Sequence, residues 1–397
     1  MTSKIKFYRV FIFSFIFLVF SFEVSAQFRF PDSEQDVDVS SYGGVSTYGT
    51  RRGVKQEQTW VAGIVLEAGA QLENVTITMP VPAGWFEQDV KPHRIVKGRG
   101  IAPRGLNFRT VNNGAREAVI KFDKLNLNQK LEIILEFDTI NYEVEPPANT
   151  EIFVIPKRLP NEVAAYLKAS PKIEIDDTRV STMLRKVLRE VTNDKQTDWE
   201  KVEAIYRYVQ KRIKYNDANK SLPAKGVKAL LAMPEDKCEG DCKDLCSFFV
   251  AMCRLCKVPA RLVRLPEHCY AEFYLEVSKD AEALIAKSKK NTEENTNLIA
   301  NNNENKNTTT PKKNASKPNA KKQIEQRGFW FPCQVAGTYC FGEIHERQVI
   351  LQKGDAFPDP ENQPNGKKQF LTEMFEGSLL QGSPKPKFKF IHDVKTK

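Results

Sequence analysis

The apolar residues of this chain change their spacing once, and that change constrains the fold more than any other feature of the sequence. From Gln58 to about residue 150 they recur at every second position, in short segments separated by proline or turn residues, which is the pattern of β-strands. Asn-Asn-Gly at 112–114 is a tight-turn signal between two such segments. After the double proline at 146–147 the spacing becomes helical, with Val180 and Leu184 on one face. The sequence therefore predicts an α+β protein in which a β-sandwich precedes a domain that contains helices.

The same spacing assigns individual strands and helices. A capping box at 197–200 begins one helix, and Trp199, Val202 and Tyr206 continue its buried stripe. The segments with strand spacing are 59–66, 72–79, 106–111, 118–125 and 131–142. We therefore assign residues 58–150 to the β-sandwich and begin the second domain at residue 151.

The first 26 residues have the composition of a signal peptide. Three positive residues, Lys4, Lys6 and Arg9, precede an almost wholly apolar run at 10–20. Val-Ser-Ala at 24–26 then supplies small residues of the kind that signal peptidase cleaves after. The apolar run is shorter than the ~20 residues that a membrane-spanning helix requires. We therefore predict cleavage after residue 26, a secreted or periplasmic protein, and a flexible leader at 27–57.

The chain carries an excess of positive charge, with a formal net charge of +10. Much of this excess lies in predicted tails and linkers, and aromatic residues do not alternate with basic ones as they do in single-strand-binding proteins. The sequence therefore predicts no nucleic-acid partner. For an exported protein, the positive balance indicates attraction to an anionic envelope surface.

Two segments in the C-terminal half lack the spacing of a folded domain. Residues 279–326 are rich in Asn, Lys and Thr, which indicates a disordered surface insertion. Ordered signal resumes near Phe329, and residues 361–397 are assigned to a C-terminal tail. The second domain therefore comprises residues 151–278 and 327–360.

All eight cysteines lie between Cys238 and Cys340, so only the second domain contains thiols. Cys242 follows a Gly-Asp pair at the start of a predicted helix, where unpaired N–H groups and the helix dipole favour an anion. Such a position lowers a thiol pKa from ~8.5 to ~3.5–7.5, so the sequence predicts a thiolate at Cys242. Three further cysteines of this helix are predicted to be buried as small hydrophobic residues: Cys246, Cys253 and Cys256.

A histidine follows this helix on a predicted strand. His268 lies within the thiol-rich stretch, and His345 follows its last cysteine by five residues. In the strand that it begins, His268 and Tyr270 share one face, and the alternate residues share the other. A histidine can take a proton from a thiol at near-neutral pH, so His268 and Cys242 are a candidate base and nucleophile.

Taken together, these segments resemble the transglutaminase-like superfamily. They are Gly-Asp-Cys-Lys-Asp at 240–244, Cys-Arg-Leu at 253–255, Val-Pro-Ala-Arg-Leu-Val at 258–263, and His268 on its strand. The resemblance covers roughly residues 175–345. It implies a papain-like fold with a Cys-His-Asp triad, in which Cys242 is the nucleophile and His268 the base. A preceding β-sandwich is also common in that family.

The third triad position departs from the family pattern. An Asp follows a Trp-x-Pro-x motif in the family, whereas Trp-Phe-Pro-Cys at 330–333 is followed here by Gln334. A Gln oxygen can accept the ring N–H of His268 and fix its tautomer, as Asn does in papain-like enzymes. It lacks the negative charge that stabilises the imidazolium, so a weaker catalyst is expected, and an Asp at this position would restore that charge. Tyr270 also replaces a frequent Trp.

Three hypotheses for function follow. The leading one is an exported thiol enzyme that hydrolyses or transamidates amides of a protein or peptide substrate, with no cofactor and no metal. The alternative is a catalytically weak or inactive module of the same fold that serves in cell-surface binding or protein interaction. A third is a zinc site, because Cys238-x3-Cys242 and Cys253-x2-Cys256 approach ligand spacing, although the second pair is predicted at the far end of the helix.

Overall fold

The computed structural model describes residues 2–8, 48–92, 94–191, 196–219, 223–281, 283, 327–359 and 366–396. Residues 9–26 of the predicted signal peptide, 27–47 of the predicted leader, and 282 and 284–326 of the predicted insertion lie outside these ranges. The β-strands are β1 Thr2–Tyr8, β2 Arg51–Glu67, β3 Leu72–Val81, β4 Gln88–Val90, β5 Arg94–Arg99, β6 Gly105–Thr110, β7 Arg116–Leu125, β8 Lys130–Glu145, β9 Phe153–Val154, β10 Lys214–Tyr215, β11 Glu239–Gly240, β12 Ala260–Arg264, β13 Cys269–Val277, β14 Gly328–Cys333, β15 Gln352–Lys353, β16 Phe357–Pro358, β17 Lys367–Lys368, β18 Met374–Leu380 and β19 Lys387–Thr396. The α-helices are α1 Asn161–Ala164, α2 Thr178–Val191, α3 Asp198–Arg212, α4 Val227–Ala232 and α5 Cys242–Leu255. Of the helices described, none is long and apolar enough to cross a membrane.

Two antiparallel sheets form the β-sandwich, which confirms the predicted fold class. One sheet has the order β1-β18-β3-β7-β6, and the other has the order β19-β2-β8-β4 with β5 also paired to β8. The period-two residues of both sheets meet in one core, where Ile64 of β2 and Ile133 of β8 join Ile77 of β3 and Ile120 of β7. All four side chains are fully buried, so the alternation in the sequence marks the face that each strand turns inward.

The C-terminal segment is part of the sandwich, and its assignment to a tail at 361–397 was wrong. Strand β19 pairs with β2 along its whole length, from Lys387↔Glu67 to Thr396↔Gln58, and β18 pairs with β3. Lysines alternate with apolar residues in β19, so the segment has the composition of a solvated tail until β2 pairs with it and its apolar face packs in the sandwich core. The leader also ends earlier than predicted, because β2 begins at Arg51 and not near Gln58.

Phe390 of β19 provides a test of this correction. Its side chain is 1% exposed and packs in the sandwich core. We expect Phe390→Ala to lower the free energy of unfolding by ~3 kcal/mol, because it leaves a cavity between the sheets. The neighbouring Lys389 is exposed, so Lys389→Ala is the matched control. Chemical denaturation of both variants measures the difference, and equal stabilities would mean that β19 does not contribute to the core.

The extreme N-terminus forms an edge strand in the full chain. Residues of β1 pair antiparallel with β18, from Thr2↔Leu380 to Tyr8↔Met374. Cleavage after residue 26 would remove this strand and leave β18 at the edge of its sheet. Export of the protein remains a prediction from the sequence.

The second domain is built on an antiparallel sheet in the order β14-β13-β12-β15, with β9 also paired to β13. Helix α5 packs against β13 and β12, and α2 and α3 pack beside α5. The predicted alternation of β13 is confirmed: Ala271 and Phe273 belong to the core beneath α5, whereas Tyr270 packs in a separate cluster with Trp85 and Val144 of the sandwich region. The sheet therefore carries the helices on one face and the sandwich on the other.

A buried network of charges joins the two domains. The Nζ of Lys353 on β15 lies 2.7 Å from Glu87 Oε2, in the loop before β4, and 2.5 Å from Glu272 Oε1 on β13. Arg261 Nε donates to the other oxygen of Glu272 at 2.6 Å. Burial alone would raise the pKa of Glu272, but the charges of Arg261 and Lys353 lower it to about 2. Glu272 is therefore ionised, and Lys353 forms the link between the sandwich and the sheet of the second domain.

Candidate active site

Cys242 is the first residue of α5, as predicted. Asp241 caps the helix by accepting the N–H groups of Lys243 at 2.9 Å and Asp244 at 3.1 Å. The N–H of Cys242 itself has no acceptor within the helix, because the first turn of an α-helix lacks preceding carbonyls. Gly240 is required by space, since a Cβ there would lie 2.7 Å from the Asp244 Cβ. The Gly-Asp-Cys sequence therefore places a thiol beside an N–H group that can stabilise an oxyanion.

His268 and Gln334 meet because of how two strands pair. His268 immediately precedes β13, Gln334 immediately follows β14, and the strands are antiparallel with Ala271 opposite Cys333. The Nε2 of His268 lies 3.0 Å from Gln334 Oε1, which accepts its N–H when that nitrogen is protonated, and 2.7 Å from Gln334 Nε2. With Nε2 held in this way, Nδ1 is the ring nitrogen that remains to face Cys242. The structure thus brings together all three residues that the resemblance singled out.

Glu346 is a fourth member of this group that the sequence analysis missed. Gln334 Nε2 donates a hydrogen bond of 2.7 Å to Glu346 Oε1, and the same oxygen lies 3.7 Å from His268 Nε2. The expected absence of a negative charge near His268 is therefore corrected: the charge is present, one side chain beyond Gln334. Glu346 lies in a loop with no periodic pattern, and its only sequence signal is that it directly follows His345.

The environment of His268 favours its charged form. Burial of the imidazole acts to lower its pKa, but the hydrogen bond and charge interaction with Cys242, the charge of Glu346 and the hydrogen bond with Gln334 act to raise it. The net direction is upward. His268 is thus a stronger base than a free histidine, and the Gln334–Glu346 pair is part of the reason.

The prediction that Cys242 rests as a thiolate is wrong for this structure. Its pKa is raised well above the ordinary value, first by a hydrogen bond with the Cys269 side chain and then by burial. The interaction with His268 acts in the opposite direction and does not prevail. Cys242 is only 3% exposed. The effect of the helix N-terminus on the Cys242 pKa is therefore smaller than the opposing effects of the Cys269 thiol and of burial. The Cys242 proton has to pass to His268 as the sulfur attacks a substrate.

Removing the Cys269 thiol is expected to make Cys242 more reactive. In Cys269→Ala the largest contribution that raises the Cys242 pKa is absent, so more thiolate forms at a given pH. We expect alkylation of Cys242 by iodoacetamide at near-neutral pH to become severalfold faster, because the thiolate fraction rises as the pKa falls. Mass spectrometry of the Cys242 peptide measures the rate across pH, with Cys253→Ala as a buried-thiol control. An unchanged pH profile would show that Cys269 does not set the Cys242 pKa.

A cleft of 780 Å³ opens beside this group and is lined by both domains. The second domain contributes His268, Gln334 and Tyr215, and the loop from Ala336 to Gln348. The sandwich contributes Trp60 of β2 and part of β19. Because Trp60 lies on the same cleft as His268, the sandwich forms one wall of the site. The C-terminal strand that resembled a tail is thus part of this wall.

The remaining cysteines have different surroundings. None of the eight forms a disulfide. Cys246 and Cys253 are fully buried, as predicted, whereas Cys256 is partly exposed at the end of α5. The four cysteines of the zinc hypothesis do not form a set of metal ligands. In the described part of the chain, the three side chains that could hold a metal ion together are Cys340, Glu343 and His345. The proposed Cys238, Cys242, Cys253 and Cys256 site is therefore not supported.

The site has the arrangement of a thiol enzyme. In a mixed α+β domain, a cysteine begins a helix and a histidine lies at the start of a neighbouring strand. Residues 185–291 match the sequence model of the transglutaminase-like superfamily, so the chain carries a transglutaminase-like domain. The match contains Cys242 and His268, and Gln334 and Glu346 lie beyond its end.

Solved structures resemble the chain weakly. A candidate cysteine protease from Cytophaga hutchinsonii is 10% identical with a TM-score of 0.48, and the similarity covers 87% of this chain and 92% of that one. A candidate protease from Parabacteroides distasonis is 9% identical with a TM-score of 0.21, over 57% and 62% of the two chains. Neither similarity is high enough to establish a shared activity. No curated protein matches the chain.

Proposed function

We propose that this protein is a thiol enzyme that cleaves amide bonds of a protein or peptide through an acyl-enzyme on Cys242. The observation that carries the proposal is the order of four interacting side chains: Cys242 acts on the His268 imidazole, His268 Nε2 lies 3.0 Å from Gln334 Oε1, and Gln334 Nε2 donates to Glu346 at 2.7 Å. Each group in the series has a matching role in nucleophilic catalysis: a thiol, a base, an acceptor that fixes the base, and a charge behind it.

The chemical steps follow from these positions. His268 Nδ1 takes the Cys242 proton as the sulfur attacks the amide carbon, and the Cys242 N–H stabilises the resulting oxyanion. The imidazolium then protonates the leaving amine, and a thioester remains on Cys242. Water, deprotonated by His268, attacks the thioester and releases the acid and the free thiol. An amine in place of this water would give transamidation by the same steps.

An inactive binding module is the second candidate function, and one observation favours it. The Cys242 side chain is 3% exposed and its pKa is raised, so in this conformation the thiol is neither accessible nor ionised. In such a module the domain would keep its fold and its cleft, and would bind a peptide without turning it over.

Covalent labelling separates the two functions. We expect a peptide chloromethyl ketone to modify the native protein once, at Cys242, because this electrophile occupies the place of the amide carbonyl. Labelling should be lost in Cys242→Ala and reduced at least ~100-fold in His268→Ala, which lacks the base. Cys246→Ala serves as the control, and mass spectrometry locates the adduct. If Cys242 reacts only after denaturation, the protein is a binding module.

We further propose that the protein acts outside the cytoplasm. The proposal rests on Lys4, Lys6 and Arg9 before the apolar run at 10–20, and on the small residues at 24–26. Intact-mass measurement of protein recovered from the cells that produce it is expected to give a chain that begins at Gln27. A chain that retains residues 1–26 would contradict export by a cleaved signal peptide.

A further inference from the structure

A second group of chemically reactive side chains lies on the cleft, separate from the Cys242–His268 pair. Cys340, Glu343 and His345 each offer one ligand atom, and these atoms all lie within 4.8 Å of one another. Cys340 and His345 also line the cleft. We propose that Cys340, Glu343 and His345 bind one zinc ion, with a fourth coordination position open toward the cleft.

The distances are close to those of a tetrahedral zinc site. His345 Nε2 lies 3.7 Å from Glu343 Oε2. Two ligands that are each ~2.0–2.1 Å from zinc are about 3.4 Å apart at the tetrahedral angle, and a zinc-bound sulfur at ~2.3 Å is about 3.6 Å from either of them. Small side-chain rotations of Glu343 and His345 therefore suffice, and both side chains have room because they are 26% and 67% exposed.

The backbone that carries the ligands is fixed on both sides. The Cys340 N–H donates to Tyr206 Oη on α3 at 3.0 Å. Ile344, between the other two ligands, exchanges two backbone hydrogen bonds of 2.9 and 3.0 Å with Val144 of β8. Gly342 makes the turn with a φ of +77°, a conformation that favours glycine. The spacing of the ligands is thus set before any ion binds, which reduces the entropy lost on binding.

The ligand types select zinc over harder ions. Thiolate, imidazole and carboxylate together are a zinc set, whereas calcium and magnesium prefer oxygen ligands alone. Without an ion, the Cys340 thiol donates a hydrogen bond of 3.0 Å to the Glu343 carbonyl. Zinc would replace the thiol proton, which passes to solvent. Zinc affinity is expected to increase with pH, because the thiol has to lose its proton to bind the ion.

Zinc titration of the full chain tests the site. The Cys242→Ser background is used, because the catalytic thiol and His268 could themselves hold zinc. After dialysis against a chelator, competition with a zinc-binding dye is expected to give one zinc ion per chain. His345→Ala should weaken binding at least ~10-fold, as expected for loss of one of three ligands, and its exposed position should leave folding intact. His392→Gln, on the sandwich wall of the same cleft, should bind zinc as tightly as the background protein.

Cobalt identifies the sulfur ligand independently. Cobalt bound to Cys242→Ser protein should show a thiolate-to-cobalt charge-transfer band, which Cys340→Ser should remove and Cys256→Ser should retain. A Cys242→Ser protein that binds no zinc overturns the proposal. Equal zinc affinity in His345→Ala, or a thiolate band that survives Cys340→Ser, also overturns it. Loss of binding in the Cys242→Ser background alone would assign the metal to the catalytic pair and not to this loop.

Discussion

Gln334→Ala is expected to lower the rate of Cys242 acylation by about 100-fold or more, and Glu346→Gln by about tenfold. Gln334 is the acceptor that holds His268, and without it the ring can rotate and change tautomer. Glu346→Gln keeps the volume of the side chain but removes the charge that helps to raise the His268 pKa. Gln334 is buried and its loss leaves Glu346 Oε1 without this donor, so Gln334→Ala should cost ~1–3 kcal/mol of stability, whereas Glu346→Gln keeps the side-chain volume and should cost less.

The pH dependence distinguishes positioning from charge. Loss of the Glu346 charge removes one of the causes that raise the His268 pKa, so the titration of His268 in the rate profile should shift to lower pH in Glu346→Gln. Rates of chloromethyl ketone inactivation across pH measure this shift. Glu267→Gln is the matched control, because Glu267 adjoins His268 in the chain and lines the cleft. If Glu267→Gln and Glu346→Gln give the same profile, Glu346 has no specific role.

For the activity of Gln334→Asp, the structure predicts the opposite of what the sequence predicts. The sequence alone favours this change, because the family has Asp at this position and the carboxylate would supply a charge. In the structure, Gln334 Nε2 donates to Glu346 Oε1 at 2.7 Å. An Asp cannot donate this bond, and two carboxylates in this place would repel each other. We therefore expect Gln334→Asp to reduce activity, and the double variant Gln334→Asp with Glu346→Gln to recover part of it. Activity of the single variant at or above that of the native protein would contradict this.

Lys353→Met is expected to destabilise the protein by ~3–5 kcal/mol, the largest change in stability that we predict for a single substitution. Lys353 is 3% exposed and contacts both Glu87 and Glu272 across the boundary between the domains. Its removal leaves buried carboxylates with less compensation, while Met fills most of the volume. The loss should appear in the cooperative unfolding transition, measured by chemical denaturation, because the network belongs to both domains.

A surface ion pair provides the control for Lys353. Lys395 of β19 contacts Glu136 of β8 at 2.7 Å, but its side chain is 56% exposed. Exposed pairs contribute ~0–1 kcal/mol, so Lys395→Met should have little effect. Adding Glu87→Gln to Lys353→Met should restore part of the lost stability, because one uncompensated charge is removed. Similar losses in Lys353→Met and Lys395→Met would show that the buried network does not hold the domains together.

The sequence by itself determined those features that depend on neighbouring residues. Period-two alternation identified β2, β3, β6, β7, β8 and β13, because each strand turns alternate side chains to opposite faces. The start of α5 followed from Gly240, Asp241 and Cys242, where a close backbone approach, a cap and an N-terminal thiol are all local requirements. The capping box that begins α3 was identified for the same reason.

Only the tertiary structure decided the features that depend on residues distant in the chain. Strand β19 alternates lysine with apolar residues and becomes a strand of the core only when β2 pairs with it. Glu346 acquires a role because the loop after β14 returns to Gln334, and no local pattern marks that return. The helix N-terminus alone predicted a Cys242 pKa below its ordinary value, whereas in the structure this pKa is raised. Cys269 and burial reverse its direction, because electrostatic energy depends on distance and solvent exposure and not on separation along the sequence.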